Sequence, residues 1–351
     1  MVQTDRGPAV DFSSNDYLGL AYDRRLIAAA TAALEEHGVG ASAARLISGN
    51  SPEHEALERK LAQFFGAEQA LTFSSGYAAN VGVIPALVSR GDVIFADALN
   101  HASLIDGCRL SRATVHVYPH ADADTLAALL DRHRGEARRA LIVTDGLFSM
   151  DGDLAPISEL VGLARRFDAW TYVDDAHAVG VLGDRGRGTA VGVDITVGTL
   201  GKAFGAAGAF VYGSETLIQY LLNRARSFVF STAMLPAQAA AARAALRIVC
   251  AEPERREALC SNARALRAAL SRSVADIDTT AAGPIIPVIL GDETRTMSVA
   301  AALAGSGFLV GAVRPPTVPV GGSRLRITAS AAHTRDQIDR LGDALALALR
   351  A

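Results

Sequence analysis

A single lysine stands in a glycine-rich turn at Thr199-Leu-Gly-Lys202-Ala-Phe-Gly205, directly after the apolar run Ile195–Thr199. A lysine at the carboxyl end of a buried strand is costly unless its charge is paired or its amine is neutral. A neutral amine is what attack on a carbonyl requires, as in a Schiff base with an aldehyde cofactor. On this stretch alone, a solvated lysine in a turn explains the residues equally well. A second constellation, Trp170-Thr-Tyr-Val-Asp174-Asp175-Ala-His177, is harder to explain as packing. A carboxylate facing a pyridine nitrogen keeps it protonated and makes the ring an electron sink. His177 is close enough in sequence to reach the same ligand; a solvated acidic turn is the plain alternative.

Other strand ends offer complementary groups. Ser74-Ser-Gly76-Tyr77-Ala-Ala-Asn80 opens a helix with small residues, and the N–H groups of a helix start suit a phosphate. In Asn100-His101-Ala-Ser103, His101 is either an ordinary helix-start residue or a ring lying against an aromatic ligand. Ser149, in Asp145-Gly-Leu-Phe-Ser149-Met-Asp-Gly, has a hydroxyl that could bond a ring substituent. Near the C-terminus, Arg324 and Arg326 share one face of the strand Leu325–Thr328 reads as, so an arginine there could fork onto an α-carboxylate. For Arg324 an exposed edge position is the expectation. No G-x-x-x-x-G-K-[ST], no G-x-G-x-x-G after a strand and no G-x-S-x-G occurs. His116 and His120 fall on a strand and its turn, a poor arrangement for a metal, and no metal site is expected.

The elements that must position these groups alternate. Apolar runs at Ala70–Phe73, Val93–Ala96, Thr114–Tyr118, Ala140–Thr144, Trp170–Val173, Ile195–Thr199 and Ala207–Tyr212 read as strands. Helical segments fall between most of them, including Asp122–His133 and Ile157–Phe167, with Arg24–His37 ahead of them. Ser51-Pro52 is a helix start whose helix buries Leu57, Leu61 and Phe64 or Phe65. This is the signature of a doubly wound α/β fold with a mostly parallel seven-stranded sheet, its last two strands close enough to be antiparallel. In such sheets ligands bind outside the carboxyl ends of the strands, where the residues above lie. The pattern changes near Leu235-Pro236 to alanine- and arginine-rich helices broken at Glu252-Pro253, then runs at Ile285–Leu290, Phe308–Val313 and Leu325–Thr328. The expected division is an N-terminal segment over residues 1–35, a large cofactor-binding domain over 36–235 and a small α+β domain over 236–351.

With 351 residues, half of them hydrophobic, the chain can bury two cores. A net charge of −3 gives no basic footprint for nucleic acid or anionic lipid. Three scattered cysteines, Cys108, Cys250 and Cys260, fit neither a disulfide framework nor a zinc ribbon. No apolar run reaches membrane-spanning length and the first residues carry no apolar signal core, so a soluble cytoplasmic enzyme is expected.

Taken in order, Asn15-Asp-Tyr-Leu-Gly19, Ser75-Gly-Tyr-Ala-Ala-Asn80, His101-Ala-Ser-Leu104, Phe148-Ser-Met-Asp-Gly152, Asp174-Asp-Ala-His177 and Thr199-Leu-Gly-Lys202 resemble the α-oxoamine synthases. These are pyridoxal 5'-phosphate enzymes of fold type I, the aspartate-aminotransferase fold, and the likeness runs from about residue 11 to the end. It implies that Lys202 holds the cofactor and later takes the substrate's α-proton, that Asp174 pairs with the ring nitrogen and that His101 stacks on the ring. It places His177 and Ser149 near the ring hydroxyl, and Gly76, Tyr77 and Thr199 at the phosphate or its surroundings. Thr232, in Phe230-Ser-Thr-Ala-Met234, matches a threonine reaching the phosphate of a neighbouring subunit, so a homodimer with shared sites is implied. Arg326 matches the partner of the amino-acid carboxylate, Asn15 a substrate contact and Thr317 an acyl-substrate contact. Asn15–Leu20 and Arg314-Pro-Pro-Thr-Val-Pro319 point within the family to the joining of L-alanine to a pimeloyl thioester. Sister synthases with other amino acids and acyl groups, a non-catalytic synthase subunit, and an aminotransferase or aldolase of the same fold are the alternatives. Family members carry a longer segment before the Asn-Asp-Tyr-Leu-Gly motif, with an arginine for the acyl substrate. Here Arg6 stands in no matching context, and a shortened form is the expectation.

Overall fold

The structure, a computed structural model, describes residues 2–4 and 7–350; Arg6 lies outside the described residues. In chain order the strands are β1 (Val2–Thr4), β2 (Gly7–Asp11), β3 (Gln69–Phe73), β4 (Val93–Asp97), β5 (Thr114–Tyr118), β6 (Ala140–Asp145) and β7 (Trp170–Asp174). They continue with β8 (Ile195–Thr199), β9 (Ala209–Gly213), β10 (Ile285–Gly291), β11 (Phe308–Leu309), β12 (Gly311–Val313) and β13 (Ser323–Thr328). The helices are α1 (Arg24–His37), α2 (Pro52–Phe65), α3 (Gly76–Leu87), α4 (Ala102–Ser111), α5 (Ala123–His133) and α6 (Ile157–Arg166). After them come α7 (Glu215–Arg224), α8 (Arg226–Val229), α9 (Pro236–Ala251), α10 (Glu254–Leu270), α11 (Glu293–Gly305) and α12 (Arg335–Ala348).

The chain divides into two compact units, one of Leu20–Phe148 and Leu154–Ala251, the other of Met1–Gly19, Ser149–Asp153 and Glu252–Ala351. In the larger unit seven strands form one sheet, in the order β3-β9-β8-β7-β6-β4-β5. The five strands from β8 to β5 are parallel, and β9 is antiparallel to both its neighbours, β8 and β3. All seven expected strands are present; the run expected to start at Ala207 starts at Ala209. Alternation along each strand builds a core on both faces. Ile94, Leu141, Val143 and Val197 face one cluster, with Val83 and Ile84 of α3, Leu104 of α4 and Phe228 of α8. Val93, Phe95, Ala140 and Ile142 face the other, with Leu126 and Leu130 of α5 and Leu160 of α6.

Two bounds differ from expectation. Residues 20–35 and 236–251 belong to the larger unit, because α1 and α9 pack together through Ala30, Ala33, Ala237 and Ala240. Alanines let two helices approach closely, and this contact outweighs the break in pattern at Leu235-Pro236. Residues 1–19 belong with the C-terminal unit, because β2 pairs in parallel with β11 and Thr328 donates its N–H to the Phe12 carbonyl at 2.7 Å.

In the smaller unit β13 is the central strand between β10 and β12, and β2 lies between β1 and β11. The apolar run Phe308–Val313 is therefore two short strands in two sheets, not one strand. Its first residues pair with the N-terminal strand and its last with β13.

Candidate active site

The lysine turn is closed by backbone bonds. Leu200 N–H donates to Gly208 O, Ala206 N–H to Leu200 O and Gly205 N–H to Lys202 O, each at 2.9 Å. Thr199 is used inside the turn: its hydroxyl donates to Gly208 O at 3.1 Å and accepts from Gly201 N–H at 3.2 Å. Gly205 has φ +60°, and a Cβ there would lie 2.5 Å from the Ala21 nitrogen, so the turn and the Leu20–Ala21 backbone can meet only at glycine. The half-buried Lys202 is aimed by this frame, its Nζ 2.8 Å from Nε2 of the buried His177.

The two adjacent aspartates separate in role. Asp174, at the end of β7, accepts from Asn80 Nδ2 at 2.6 Å and from Ala176 N–H at 3.1 Å. Asp175 accepts from Thr189 N–H at 2.7 Å and the Thr189 hydroxyl at 2.6 Å. Burial pushes the Asp175 carboxyl up to about 6, the Thr189 hydrogen bonds opposing it. Asp175 thus clamps the Thr189 segment, while Asp174 is tied to Asn80 at the end of β7.

His101 is a helix-start residue, the first of the two readings that the sequence allowed. It caps α4, its Nδ1 2.7 Å from Ser103 Oγ and accepting from Ser103 N–H, while the residue stays exposed. Surrounding protein and Lys202 hold its pKa below the ordinary value, with Asp174 opposing. Asn80, quoted in the motif but given no role, links these groups. Its Nδ2 donates to Asp174 and, at 2.8 Å, to Ser103 Oγ, while its Oδ1 accepts from Tyr172 OH at 2.8 Å. A buried asparagine in a helix is the signal that could have found it, because both ends of its amide must be satisfied.

Gly76 and Tyr77 are the first residues of α3, capped by the Ser75 hydroxyl. The first N–H groups of a helix have no partner within it, and the space where a Gly76 Cβ would stand is open. The Tyr77 side chain is tied to Asp106 of α4 at 2.7 Å. An amine, a buried carboxylate, an open imidazole face and a helix start thus lie on the same sheet edge. They fit an aldehyde-bearing pyridine phosphate, group for group. Thr232 is exposed and bridges Ala44.

Within the smaller unit, Arg326 and Asn15 are brought together. Arg326 donates through Nε to the Ser149 carbonyl and through Nη2 to Asn15 Oδ1 at 3.0 Å. Tyr17 OH donates to the same Asn15 oxygen at 3.1 Å; burial pushes this phenol up to about 12, Arg326 opposing. It is the backbone of Ser149 that is engaged here, and Ser149 groups with the smaller unit. Thr317 lies in an exposed turn, its N–H donating to Arg314 O at 3.1 Å. Arg324 is not an exposed edge residue. It is buried on the central strand β13, paired with Asp151 and bonded to Gly322 O at 2.9 Å.

Fold and strand-end chemistry together define a fold type I pyridoxal-phosphate enzyme. The chain belongs to the family of class I and II aminotransferases, whose model matches residues 8–345. It is 51% identical to the 8-amino-7-oxononanoate synthase of Methylococcus capsulatus, over 98% of this chain and 90% of that one. It is also 51% identical to 8-amino-7-oxononanoate synthase 2 of Bacillus subtilis, over 94% and 85%. A solved serine palmitoyltransferase from S. paucimobilis with bound PLP-myriocin aldimine superposes with a TM-score of 0.94 at 33% identity, covering 97% of this chain and 87% of that one. The 8-amino-7-oxononanoate synthase of Francisella tularensis superposes with a TM-score of 0.82 at 29% identity, covering 97% and 98%.

Proposed function

We propose that this chain joins L-alanine to a pimeloyl thioester, giving 8-amino-7-oxononanoate, CO2 and the free thiol carrier, a step of biotin synthesis in the cytoplasm. The observation that carries the reading is the Lys202 amine held 2.8 Å from His177, on the sheet edge where Asp174 is buried and bonded. Identity of about half to the synthases of M. capsulatus and B. subtilis supports the substrate pair.

Bound pyridoxal phosphate supplies an electron sink that makes the alanine α-carbon nucleophilic. The chain's residues do the rest. Lys202 would hold the cofactor's aldehyde carbon and would serve at Nζ as the base for the α-proton. Asp174 would hold the ring nitrogen, His101 the ring face, and His177 and Ser149 the ring hydroxyl region. Gly76, Tyr77 and Thr199 would hold the phosphate or its surroundings. Thr232 would serve the phosphate of a second copy in a homodimer. Arg326 would receive the α-carboxylate, Asn15 the amino-acid substrate and Thr317 the acyl substrate. In the net reaction the bond between the α-carbon and the acyl carbon and the thiol S–H bond form, while the thioester C–S bond and the bond to the departing carboxylate break. One proton is taken up from solvent, and the α-proton removed at Lys202 Nζ is replaced at the α-carbon once CO2 has left.

The closer fold match to a serine palmitoyltransferase favours a second reading, a sister synthase such as a sphingoid-base synthase, 2-amino-3-ketobutyrate CoA ligase or 5-aminolevulinate synthase. Thiol release from acyl thioesters of several lengths, with alanine, glycine and serine in turn, separates them. Alanine with a pimeloyl thioester should be fastest. No release from that pair, with release from another, overturns the proposed substrates.

A further inference from the structure

Asp145 is a buried carboxyl that the reaction above leaves without a task. It ends β6 directly opposite Asp174 on β7, and both are almost fully buried. Its Oδ2 accepts the N–H of His101 at 2.7 Å. Its own N–H donates to Asn100 Oδ1 at 3.1 Å, and Asn100 Nδ2 donates to Val143 O at 2.9 Å. The Asn100–His101 pair is therefore fastened to the end of β6 at three points. From the imidazole the connection runs on through Ser103 and Asn80 to Asp174, so the two carboxyls close one circuit around His101.

We propose that Asp145 is a positioning residue whose carboxyl carries a proton in the working enzyme, fixing His101 in place beside Asp174 without adding a charge of its own. Two neighbouring carboxyls away from water do not both ionise cheaply. Asp174 accepts from Asn80 Nδ2 and Ala176 N–H, whereas the Asp145 carboxyl accepts from the His101 N–H. The groups facing Asp145 are Asp174 from β7, Asp97 from β4, the His101 N–H and Lys202. Burial first, then Asp174 and Asp97, push Asp145 well above the usual carboxylate range, with the His101 N–H and Lys202 opposing. A neutral Asp145 still accepts from His101 through Oδ2, so positioning requires no second charge beside the ring nitrogen's partner.

The inference rests on the proposed function only for its kinetic arm. Asp145→Asn keeps an acceptor for the His101 N–H without a charge; Asp145→Leu keeps the bulk without the acceptor. In the holoenzyme, Asp145→Asn should retain turnover to within about threefold, whereas Asp145→Leu should lose about 100-fold in kcat with little change in KM for alanine. Asp145→Leu should also weaken the visible circular dichroism of the bound cofactor. In cofactor-free protein, wild type should lose stability as pH rises through the Asp145 titration, and Asp145→Asn should lack that loss. Asp145→Asn as slow as Asp145→Leu, or retaining the wild-type pH dependence, overturns the proposal, as does a fully active Asp145→Leu. If Asp145→Leu does not fold, Asp145→Asn decides alone. Should alanine and pimeloyl thioester fail even in wild type, the substrate assignment falls while the cofactor-free measurement still decides the protonation of Asp145.

Discussion

Lys202 is held through a frame it did not build, and its effects should be separable from the fold. Its backbone turn is closed by Leu200, Gly205, Ala206 and Gly208, none of which needs the lysine side chain. Lys202→Ala should therefore unfold near the wild-type temperature yet abolish the borohydride-sensitive visible absorbance and lower turnover by at least ~1000-fold. Retained absorbance after borohydride treatment would remove the amine from the reaction. Asp175 gives the opposite case, a residue whose effect is on stability. Burial pushes its carboxyl up to about 6 in the folded chain, above the ordinary aspartate value of about 3.9, so the folded state prefers it protonated. The stability this provides is whole below pH 4 and is lost as pH rises through 6, a change of about 3 kcal/mol by order of magnitude. Asp175→Asn should gain stability over wild type across that window, read from denaturant unfolding at pH 4, 5, 6 and 7. A constant difference between the two proteins would refute the assignment.

Elements, not single residues, decide how close the groups stand. In α4, a Cβ at Gly107 would lie 2.8 Å from the Asn80 carbonyl oxygen of α3 and 3.0 Å from Ile84 Cδ1. Gly107→Ala should push α4 from α3, cost roughly 1–3 kcal/mol, and loosen the Asn80 bonds to Asp174 and Ser103. Thermal unfolding of the cofactor-free variant and cofactor titration should shift together; a shift in stability with unaltered cofactor affinity would uncouple them. The same packing shows what could be read from the chain alone. Strands β3 to β9 were legible because short apolar runs ended in glycine, serine, aspartate or, at β5, proline, and Lys202, Asp174, His177 and His101 were legible as unusual types at strand ends. The role of Asn80 is invisible in the sequence, since its partners Ser103 and Asp174 are 23 and 94 residues away. Arg324 was misread because nothing local says that β13 is a central strand; that depends on β10 and β12 pairing with it. The strands β1 and β2 were missed for the same reason: β2 pairs with β11, far along the chain, and β1 pairs with β2.

At the scale of the whole molecule, the proposed homodimer bears on Thr232. Ala233 N–H donates to Ala43 O at 3.0 Å and Thr232 bridges Ala44, so this segment lies beside the turn Arg45–Gly49. Around it Ile47 is 80% and Phe230 70% exposed, large apolar side chains left in water unless a second copy covers them. Ile47→Asp with Phe230→Asp should convert a dimer to monomers and weaken cofactor binding roughly tenfold or more, read by light scattering and absorbance titration. Monomers with undiminished affinity would detach Thr232 from the phosphate.

The smaller unit is stitched from three separated pieces, and Asn15 meets Arg326 across 311 residues of sequence. A ribosome releases those pieces at very different times. The larger unit has its whole complement of strands once Ala251 has emerged, whereas Phe12, Tyr17 and Leu18 must wait, uncovered, for β13 and the helices around it. The oldest part of the nascent chain is thus among the last to be folded away, and the Asn15–Arg326 contact is completed only when synthesis is nearly over.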